Sequence, residues 1–188
     1  SATITPVRVV LWRGSKDNWP AFEKLVRAHA DPPALKGIRS PAKPIWTEKI
    51  TTRGIVDKSE RAFAIDTITL PFDNPYKALM FVGGHDFFSN GNIAICTLHG
   101  DVWIVEGVKD RLERLKWRRF ATGLHQPLGL RILDDKVHVL GRDQITRLHD
   151  RNNDGEADFY ECFNNDGAAS VRGHDYAACL ETDPHGNF

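Results

Sequence analysis

Residues 90–106 read NGNIAICTLHGDVWIVE, and this stretch decides the fold. It opens with the tight-turn signal Asn90-Gly91-Asn92, and its apolar run is interrupted once, by His99-Gly100-Asp101, before it resumes at Val102. Short apolar runs separated by turns that contain Gly and Asn are typical of antiparallel β-strands joined by hairpins. The stretch therefore predicts two neighbouring strands, at residues 92–98 and 102–106.

The same arrangement recurs further along the chain. Asp134-Asp135-Lys136 and His185-Gly186-Asn187 are turn signals that also follow apolar segments, and the first of these two again precedes a strand, a turn and a strand. The interval is 44 positions from Gly91 to Asp135 and 51 positions from Asp135 to Gly186. A period of about 40 to 50 residues is typical of the blades of a β-propeller. A polar insertion at residues 150–170 accounts for the longer second interval.

The strand pattern divides the chain into two predicted regions. Residues 1–60 contain a strand-like run, a short helix with apolar positions Phe22, Leu25 and Val26, and a Pro-rich stretch up to Trp46 that indicates a linker or a strand laid along another surface. From residue 61 onward, strands are predicted at 63–70, 78–83, 92–98, 102–106, 128–133, 137–140 and 144–148.

The predicted fold class is therefore mainly β. Residues 61–188 form a partial β-propeller of about two and a fraction blades, and residues 1–60 form a small mixed N-terminal segment. Propellers close with about four to eight blades. We therefore expect a propeller truncated at its C-terminus, with the remaining blades supplied by a longer protein or by another chain.

Charge and cysteine usage exclude several classes of function. The 25 basic and 25 acidic residues cancel, so nucleic acid is not an expected partner, and the basic cluster at residues 116–119 is read as strand alternation. No apolar run approaches the roughly 20 residues that span a bilayer. The three cysteines form no C-x-x-C pair and no haem attachment motif, and Cys96 is expected to be a buried, unreactive thiol.

The polar insertion contains the strongest local motif, Asp150-x-Asn152-x-Asp154-Gly155-x-x-Asp158-x-x-Glu161. Ca²⁺ binds six to eight hard oxygen ligands, and a loop with oxygen donors at this spacing supplies them. Because its flanks are strand-like, we expect a calcium-stapled hairpin; the alternative is a solvated turn held by bonds from side chains to the backbone. The candidate calcium ligands are Asp150, Asn152, Asp154, Glu156, Asp158 and Glu161.

Histidines recur before the turn signals. Gly84-His85-Asp86 precedes the first signal, Gly173-His174-Asp175 precedes the third, and Leu124-His125-Gln126 holds the matching place before the second. Equivalent positions of propeller blades lie at one radius, so one interpretation is a convergent site in the central channel, where imidazole suits proton abstraction or metal binding. The alternative is that His-Asp pairs tie one blade to the next. Arg142-Asp143, in a turn of the second blade, is a further candidate.

Several longer motifs point to a family. They are LPFDNP at 70–75, HGDVW at 99–103, WRRFA at 117–121, QPLGL at 126–130, RDQITRL at 142–148, DGEADFY at 154–160 and GHDY at 173–176. Taken together, they make residues 63–188 resemble the propeller region of large exported bacterial haem-binding dehydrogenase-like proteins. That family is similar, at a distance, to quinone-dependent sugar dehydrogenases.

The resemblance implies a function. Those sugar dehydrogenases bind pyrroloquinoline quinone above the propeller channel and use a histidine as the base for hydride removal. The chain is therefore expected to be periplasmic or otherwise exported and to oxidise a sugar or polyol. Its electrons would pass to a cytochrome domain whose haem lies outside this chain. By position, His174 matches the catalytic base, and the expected cofactor-binding residues are His85, His125, Arg142 and Asp175.

Two interpretations thus stay open. In the first, the propeller holds a quinone and His174 removes a proton from a substrate hydroxyl. In the second, the propeller does no chemistry and is a calcium-stabilised module that binds a glycan or a protein partner. Histidines that converge beside a cavity with several cationic side chains favour the enzyme, whereas histidines that pair with their following Asp or Gln and point between blades favour the binding module.

Overall fold

The computed structural model describes residues 9–28, 42–167 and 175–188, which belong to two compact units, 1–41 and 42–188. In the first unit, a 3₁₀ turn at Lys16–Asn18 leads into helix α1, Trp19–Ala28, so the predicted short helix is confirmed. The rings of Trp12, Trp19 and Phe22 cluster with centroids 5.3 to 5.6 Å apart. The second unit begins at residue 42, so the predicted boundary at residue 60 falls inside it.

The second unit contains two antiparallel sheets. The first sheet has five strands in the order β1-β5-β4-β3-β2, and the second sheet has four in the order β6-β7-β8-β9. The strands are β1 (Ile50–Thr52), β2 (Val82–Phe87), β3 (Ile93–Thr97), β4 (Val102–Glu106), β5 (Leu115–Ala121), β6 (Gly129–Leu133), β7 (Lys136–Leu140), β8 (Ile145–His149) and β9 (Phe159–Asn164). The prediction of a mainly β chain is therefore confirmed. The described residues form these two sheets and no closed ring of blades.

Each sheet contains a meander of four consecutive strands. β2 to β5 pair in chain order, and so do β6 to β9. β1 adds a fifth strand to the outer edge of the first sheet, where Ile50 lies opposite Trp117. The predicted strand at residues 116–119 is confirmed in β5, but Trp117 and Phe120 are buried on opposite faces of the sheet, and Arg118 is half-buried.

Two predicted strands differ from the structure because side chains bind the backbone there. Residues 63–70 form only the bridge between Ile55 and Thr67, and the Asp57 carboxylate accepts hydrogen bonds from the Ser59 and Ile65 amides at 2.8 and 3.1 Å. Residues 78–81 precede β2, because the Asn74 side chain binds both the amide and the carbonyl of Ala78 at 2.9 Å. Such local bonds compete with the hydrogen-bond ladder of a sheet.

The core lies on both faces of the first sheet. Between the two sheets, residues such as Cys96 and Ile104 pack against Leu130 and Val139. On the opposite face, Trp103 and Trp117 pack under the segment that leads into β2. Because both faces are covered, β3 is buried at every position, which explains its continuous apolar run.

Cys96 is buried as predicted. It is fully inaccessible, and burial raises the pKa of its thiol to about 11. The thiolate is the reactive form of cysteine. Cys96 is therefore unreactive near neutral pH.

The inner strands of the two sheets, β2 and β6, are the strands that lie next to each other, and they approach closely at glycines. A Cβ atom on Gly83 would lie 2.4 Å from the Pro127 carbonyl oxygen, and one on Gly84 would lie 2.9 Å from the Leu130 amide nitrogen. The contact then repeats, because a Cβ on Gly129 would lie 2.8 Å from the Leu180 amide nitrogen. Glycine in a strand often marks such an approach of another backbone.

The third turn signal forms the same turn as the first. In the first turn, the Phe88 amide donates to the Asn92 carbonyl at 2.9 Å, and in the third the Asp183 amide donates to the Asn187 carbonyl at 2.9 Å. Gly91 and Gly186 adopt φ values of +86° and +81°. Residues 179–187 therefore repeat the inner-strand contact and the turn of the first sheet.

Substituting Gly83→Ala is expected to destabilise the second unit by about 1 to 3 kcal/mol, because the new methyl group collides with a backbone carbonyl that has no room to move. The measurement is the free energy of unfolding in urea. Gly167→Ala is the matched control, since no atom of the described residues lies within 4 Å of the Cβ position there. Equal stabilities of the two variants would contradict the close approach of the inner strands.

Candidate functional site

The β7–β8 turn, residues 141–144, separates two clefts of the second sheet. The larger has a volume of about 220 Å³, and its polar lining comes from Arg142, Gln144, Asn164, Asp175 and Tyr176. The smaller has a volume of about 150 Å³, and its polar lining comes from His125, Asp143, Gln144, Thr146 and Tyr160. The predicted cofactor residues Arg142 and Asp175 thus line one cleft, and His125 lines the other.

Backbone hydrogen bonds hold this turn in place. The Gly141 amide donates to the Gln144 carbonyl at 3.0 Å, which closes the turn. The Arg142 amide donates to the His125 carbonyl at 3.0 Å, which ties the turn to the connection between β5 and β6. The backbone at both clefts is therefore set by the second sheet and its entry segment.

The Arg142 side chain contacts Tyr176 and Gln126. Its guanidinium carbon lies 5.0 Å from the centre of the Tyr176 ring, and its Nη1 donates to Gln126 Oε1 at 3.1 Å. A cation over an aromatic face is held by the ring quadrupole. The larger cleft therefore presents an aromatic ring, a guanidinium and a carboxylate beside two amide side chains.

The predicted set of histidines does not share one structural position. The amides of Leu98 and Arg142 donate to the carbonyls of Phe81 and His125, respectively, so His125 corresponds to Phe81 of the first sheet. His85 pairs with Ile95 in β3, and its equivalent in the second sheet is Leu130, which pairs with Val139. The expectation that His85 and His125 hold matching places is therefore wrong.

Within Gly84-His85-Asp86, the aspartate makes the contact between the sheets. Asp86 Oδ2 accepts from the Ile132 amide at 2.9 Å and lies 3.4 Å from Arg131 Nη1. His85 is exposed on β2, and its ring lies 6.3 Å from that of Phe87. Asp86 thus ties the two sheets, whereas His85 is exposed and does not point between them as the second interpretation expects. The predicted base His174 lies outside the described residues.

The predicted calcium loop joins β8 to β9. Asp150 Oδ1 and Asn152 Oδ1 both accept from the Asp154 amide, at 3.2 and 3.1 Å, and Asp150 Oδ2 accepts from the Gly155 amide at 2.8 Å. Asp158 Oδ2 accepts from the Arg151 amide at 2.8 Å. Four of the six candidate ligands therefore lie in one tight turn, with backbone amides as their partners.

The two glutamates of that set have other partners. Glu156 Oε2 accepts from the Ile45 and Trp46 amides at 2.6 and 3.0 Å. Glu161 lies on β9, where it pairs with Arg147 at 2.7 Å and with His149 Nε2 at 2.6 Å. The hydrogen bonds from His149 and Arg147 lower the pKa of the Glu161 carboxyl.

The β8–β9 loop also holds the segment that follows the Pro-rich stretch. Besides the bonds from Glu156, Asn152 Nδ2 donates to the Ala42 carbonyl at 3.0 Å. The Arg119 guanidinium lies over the Trp46 ring at 5.1 Å. Residues 42–46 therefore lie as an extended strap along the sheets, in agreement with one of the two interpretations of this stretch.

Sequence reasoning missed part of the larger cleft. Gln144, Asn164 and Tyr176 were not among the candidate residues, although Tyr176 belongs to the GHDY motif. It also missed a buried ion pair in which Asp101, 2% exposed, accepts from Arg119 Nε at 3.2 Å and from the Thr122 hydroxyl. The available signals were the quoted motifs, since Tyr176 lies in GHDY and Gln144 in RDQITRL, but the motifs do not show which residues meet, because these come together only through the turns.

Comparisons with protein-family models, curated protein sequences and solved structures found no significant match to this chain. The site is therefore judged on its own geometry. Within residues 9–28, 42–167 and 175–188, no group of three or more His, Cys, Asp or Glu side chains is arranged to hold a metal ion. No helix in these ranges has the length and apolar character needed to cross a bilayer.

One histidine outside both clefts is buried. His138, on β7, is 3% exposed, and its ring lies 5.1 and 5.2 Å from the rings of Phe163 and Phe188. Burial lowers the pKa of His138 below its ordinary value of 6.5, and the nearby Arg147 lowers it further. The folded chain therefore holds this imidazole neutral.

Lowering the pH below 6.5 is expected to reduce the free energy of unfolding, because the unfolded chain then takes up a proton on His138 that the folded chain does not. The effect is absent above that pH and levels off below the folded pKa. His138→Asn should flatten the pH dependence, whereas the exposed control His99→Asn should keep it. Identical slopes for the two variants in urea unfolding at several pH values would refute this assignment.

Proposed function

We propose that residues 42–188 are part of a β-propeller and that the cleft lined by Arg142, Asp175 and Tyr176 binds a sugar or polyol. The propeller is supported by two consecutive four-stranded meanders whose inner strands pack against each other. Residues 179–187 repeat the inner-strand contact and the turn, as expected if the pattern continues around a ring.

The observation that carries the ligand class is the Tyr176 ring beside Arg142 in the larger cleft. Aromatic faces bury the apolar C–H side of a sugar ring, while guanidinium, amide and carboxylate groups donate to and accept from its hydroxyls. Arg142 and Asp175 carry opposite charges, and they are the charged residues among the described lining of this cleft. A neutral, hydroxyl-rich ligand matches this balance.

The quinone predicted from the family resemblance fits the described lining poorly. Pyrroloquinoline quinone is a polycarboxylate, so its site has to supply an excess of positive charge. In the larger cleft the positive charge of Arg142 is balanced by Asp175. The described residues therefore favour binding of a sugar or polyol over binding of this cofactor, and we assign no redox step to them.

Oxidation of the bound sugar is the second candidate. It rests on the family resemblance and on the position of His174, which directly precedes Asp175 in the chain. An imidazole beside the ligand would suit removal of a proton from a substrate hydroxyl. In this candidate the protein is exported, and its electrons pass to a cytochrome domain outside this chain.

We also propose that the β8–β9 loop binds calcium through Asp150, Asn152, Asp154 and Asp158. Hard oxygen donors at this spacing suit Ca²⁺, and Gly155 adopts the positive φ of +93° that the sharp turn requires. In the structure the Asp150, Asp154 and Asp158 carboxylates bind backbone amides and are not grouped around a metal position, so calcium would have to displace these hydrogen bonds. Glu156 and Glu161 are engaged elsewhere, so the site would need carbonyl oxygens or water to complete its coordination. Its role is structural, because the same loop holds the strap at residues 42–46.

Glucose and sorbitol are expected to shift the backbone NMR signals of residues 141–144 and 176 saturably, with millimolar affinity. Arg142→Ala and Tyr176→Leu should weaken this binding about tenfold, since each removes a direct contact. Arg114→Ala is the control, because this exposed arginine lies in the β4–β5 turn of the first sheet.

No saturable shift, or equal losses in all three variants, would overturn the proposed sugar site. The oxidation candidate is tested separately with the quinone and an artificial electron acceptor. Turnover that His174→Ala abolishes while sugar binding persists would support it. Sugar binding without turnover would leave a binding module.

Calcium is expected to raise the melting temperature, and Asp154→Asn should weaken its binding at least tenfold because the loop then loses a charged ligand. Glu161→Gln should leave calcium affinity unchanged, since Glu161 is held by Arg147 and His149. Binding is measured by isothermal titration calorimetry of the chelator-treated protein. A larger loss with Glu161→Gln than with Asp154→Asn would favour the full twelve-residue pattern predicted from the sequence.

A further inference from the structure

A third cleft lies at the first sheet, away from the sugar cleft. It has a volume of about 580 Å³ and is formed by residues 53–58, which follow β1, and by residues 111–113 of the β4–β5 turn. Asp57 and Leu112 are not part of the described lining, whose charged residues are Arg53, Lys58, Arg111 and Glu113. Asp57 pairs with Arg61. The volume falls within the roughly 300 to 1,000 Å³ typical of sites for small molecules.

The positive charges of this cleft are not neutralised. Within the described ranges, Arg53, Lys58 and Arg111 form no side-chain hydrogen bond and no ion pair, although Glu113 lines the same cleft. Elsewhere in the described chain, Arg61, Arg118, Arg119, Arg131 and Arg147 each pair with a carboxylate. The cleft therefore carries an excess of positive charge in a chain whose net charge is zero.

The two backbone segments that form the cleft are held together at Gly54. The Gly54 amide donates to the Leu112 carbonyl at 2.8 Å and joins the two segments. A Cβ on Gly54 would lie 2.6 Å from the Thr67 carbonyl oxygen and 2.7 Å from Leu112 Cβ, so glycine is required for this approach.

The turn that presents Arg111 is strained. Arg111 and Leu112 adopt φ values of +54° and +59°, a region that non-glycine residues rarely occupy. Leu112 is buried in the core of the first sheet, which fixes the turn, while Arg111 is exposed at the cleft. Strain of this kind persists where the surroundings enforce it, and it clusters at binding sites.

We infer that this cleft binds a small organic polyanion, that is, a molecule with several carboxylate or phosphate groups. Guanidinium groups pair with such oxyanions through two parallel hydrogen bonds, and Lys58 adds a point charge. Ile55, 63% exposed, offers an apolar contact for the carbon skeleton of the ligand. This site is independent of the proposed sugar cleft.

The test is calorimetric titration of the full chain with citrate and, separately, with inorganic pyrophosphate. Arg111→Gln and Arg53→Gln should each weaken binding about tenfold, and added salt should weaken it further. Glu113→Gln should tighten binding, because it removes the one carboxylate among the described lining residues. A merely structural role for these residues would not give effects of opposite sign.

Two controls define the site. Arg114→Gln changes an arginine of the same turn that does not line the cleft, and Arg142→Ala changes the sugar cleft; both should leave the affinity unchanged. Citrate binding without pyrophosphate binding would identify carboxylates as the recognised groups, and the reverse would identify phosphates. Absence of saturable binding, or equal weakening by Arg114→Gln and Arg111→Gln, would overturn the inference.

Discussion

The close approach of the inner strands β2 and β6 is the constraint on which the rest of the second unit depends. Without side chains at Gly83, Gly84 and Gly129, the backbones of successive repeats come close enough for the shared core between the sheets to exclude water. That packing fixes the entry segment of the second sheet, and this segment in turn holds the β7–β8 turn through the His125 carbonyl. The geometry of the sugar cleft therefore follows from contacts between backbones at the centre of the unit.

Polar contacts, and not only the buried core, hold the second unit together. The strap at residues 42–46 is mostly exposed, and hydrogen bonds to Glu156 and from Asn152 of the β8–β9 loop hold it in place. Arg119 connects this strap to the buried carboxylate of Asp101. A charge as buried as Asp101 is tolerated only when it is paired and hydrogen-bonded. The loop with the calcium motif is thus part of the structure that joins the two sheets.

The sugar cleft, beside the β7–β8 turn, and the cationic cleft, lined by Arg53, Lys58 and Arg111, differ in charge, and this difference separates their proposed ligands. In the sugar cleft, Arg142 and Asp175 balance each other beside an aromatic ring. In the cationic cleft, the three positive charges of Arg53, Lys58 and Arg111 exceed the one negative charge of Glu113. An uncharged ligand gains little from a net field, whereas a polyanion loses its hydration and needs opposite charges to replace it. The predicted histidine site has no counterpart among the described residues, because His85 and His125 occupy different positions of the repeat.

The sequence by itself determined the mainly β fold, the repeat of the tight turns and the buried thiol of Cys96. These features are local: apolar runs and Gly or Asn turns specify strands and hairpins over a few residues. It also placed Arg142 and Asp175 among the site candidates. Only the tertiary structure decided which side chains meet. It gave Glu156 and Glu161 partners far along the chain or across strands, brought Tyr176 to Arg142, and joined residue 54 to residue 112. Such contacts depend on strand register and on how closely the backbones of the two sheets approach. His125, for example, occupies the repeat position of Phe81 and not that of His85, so the two histidines do not share a site.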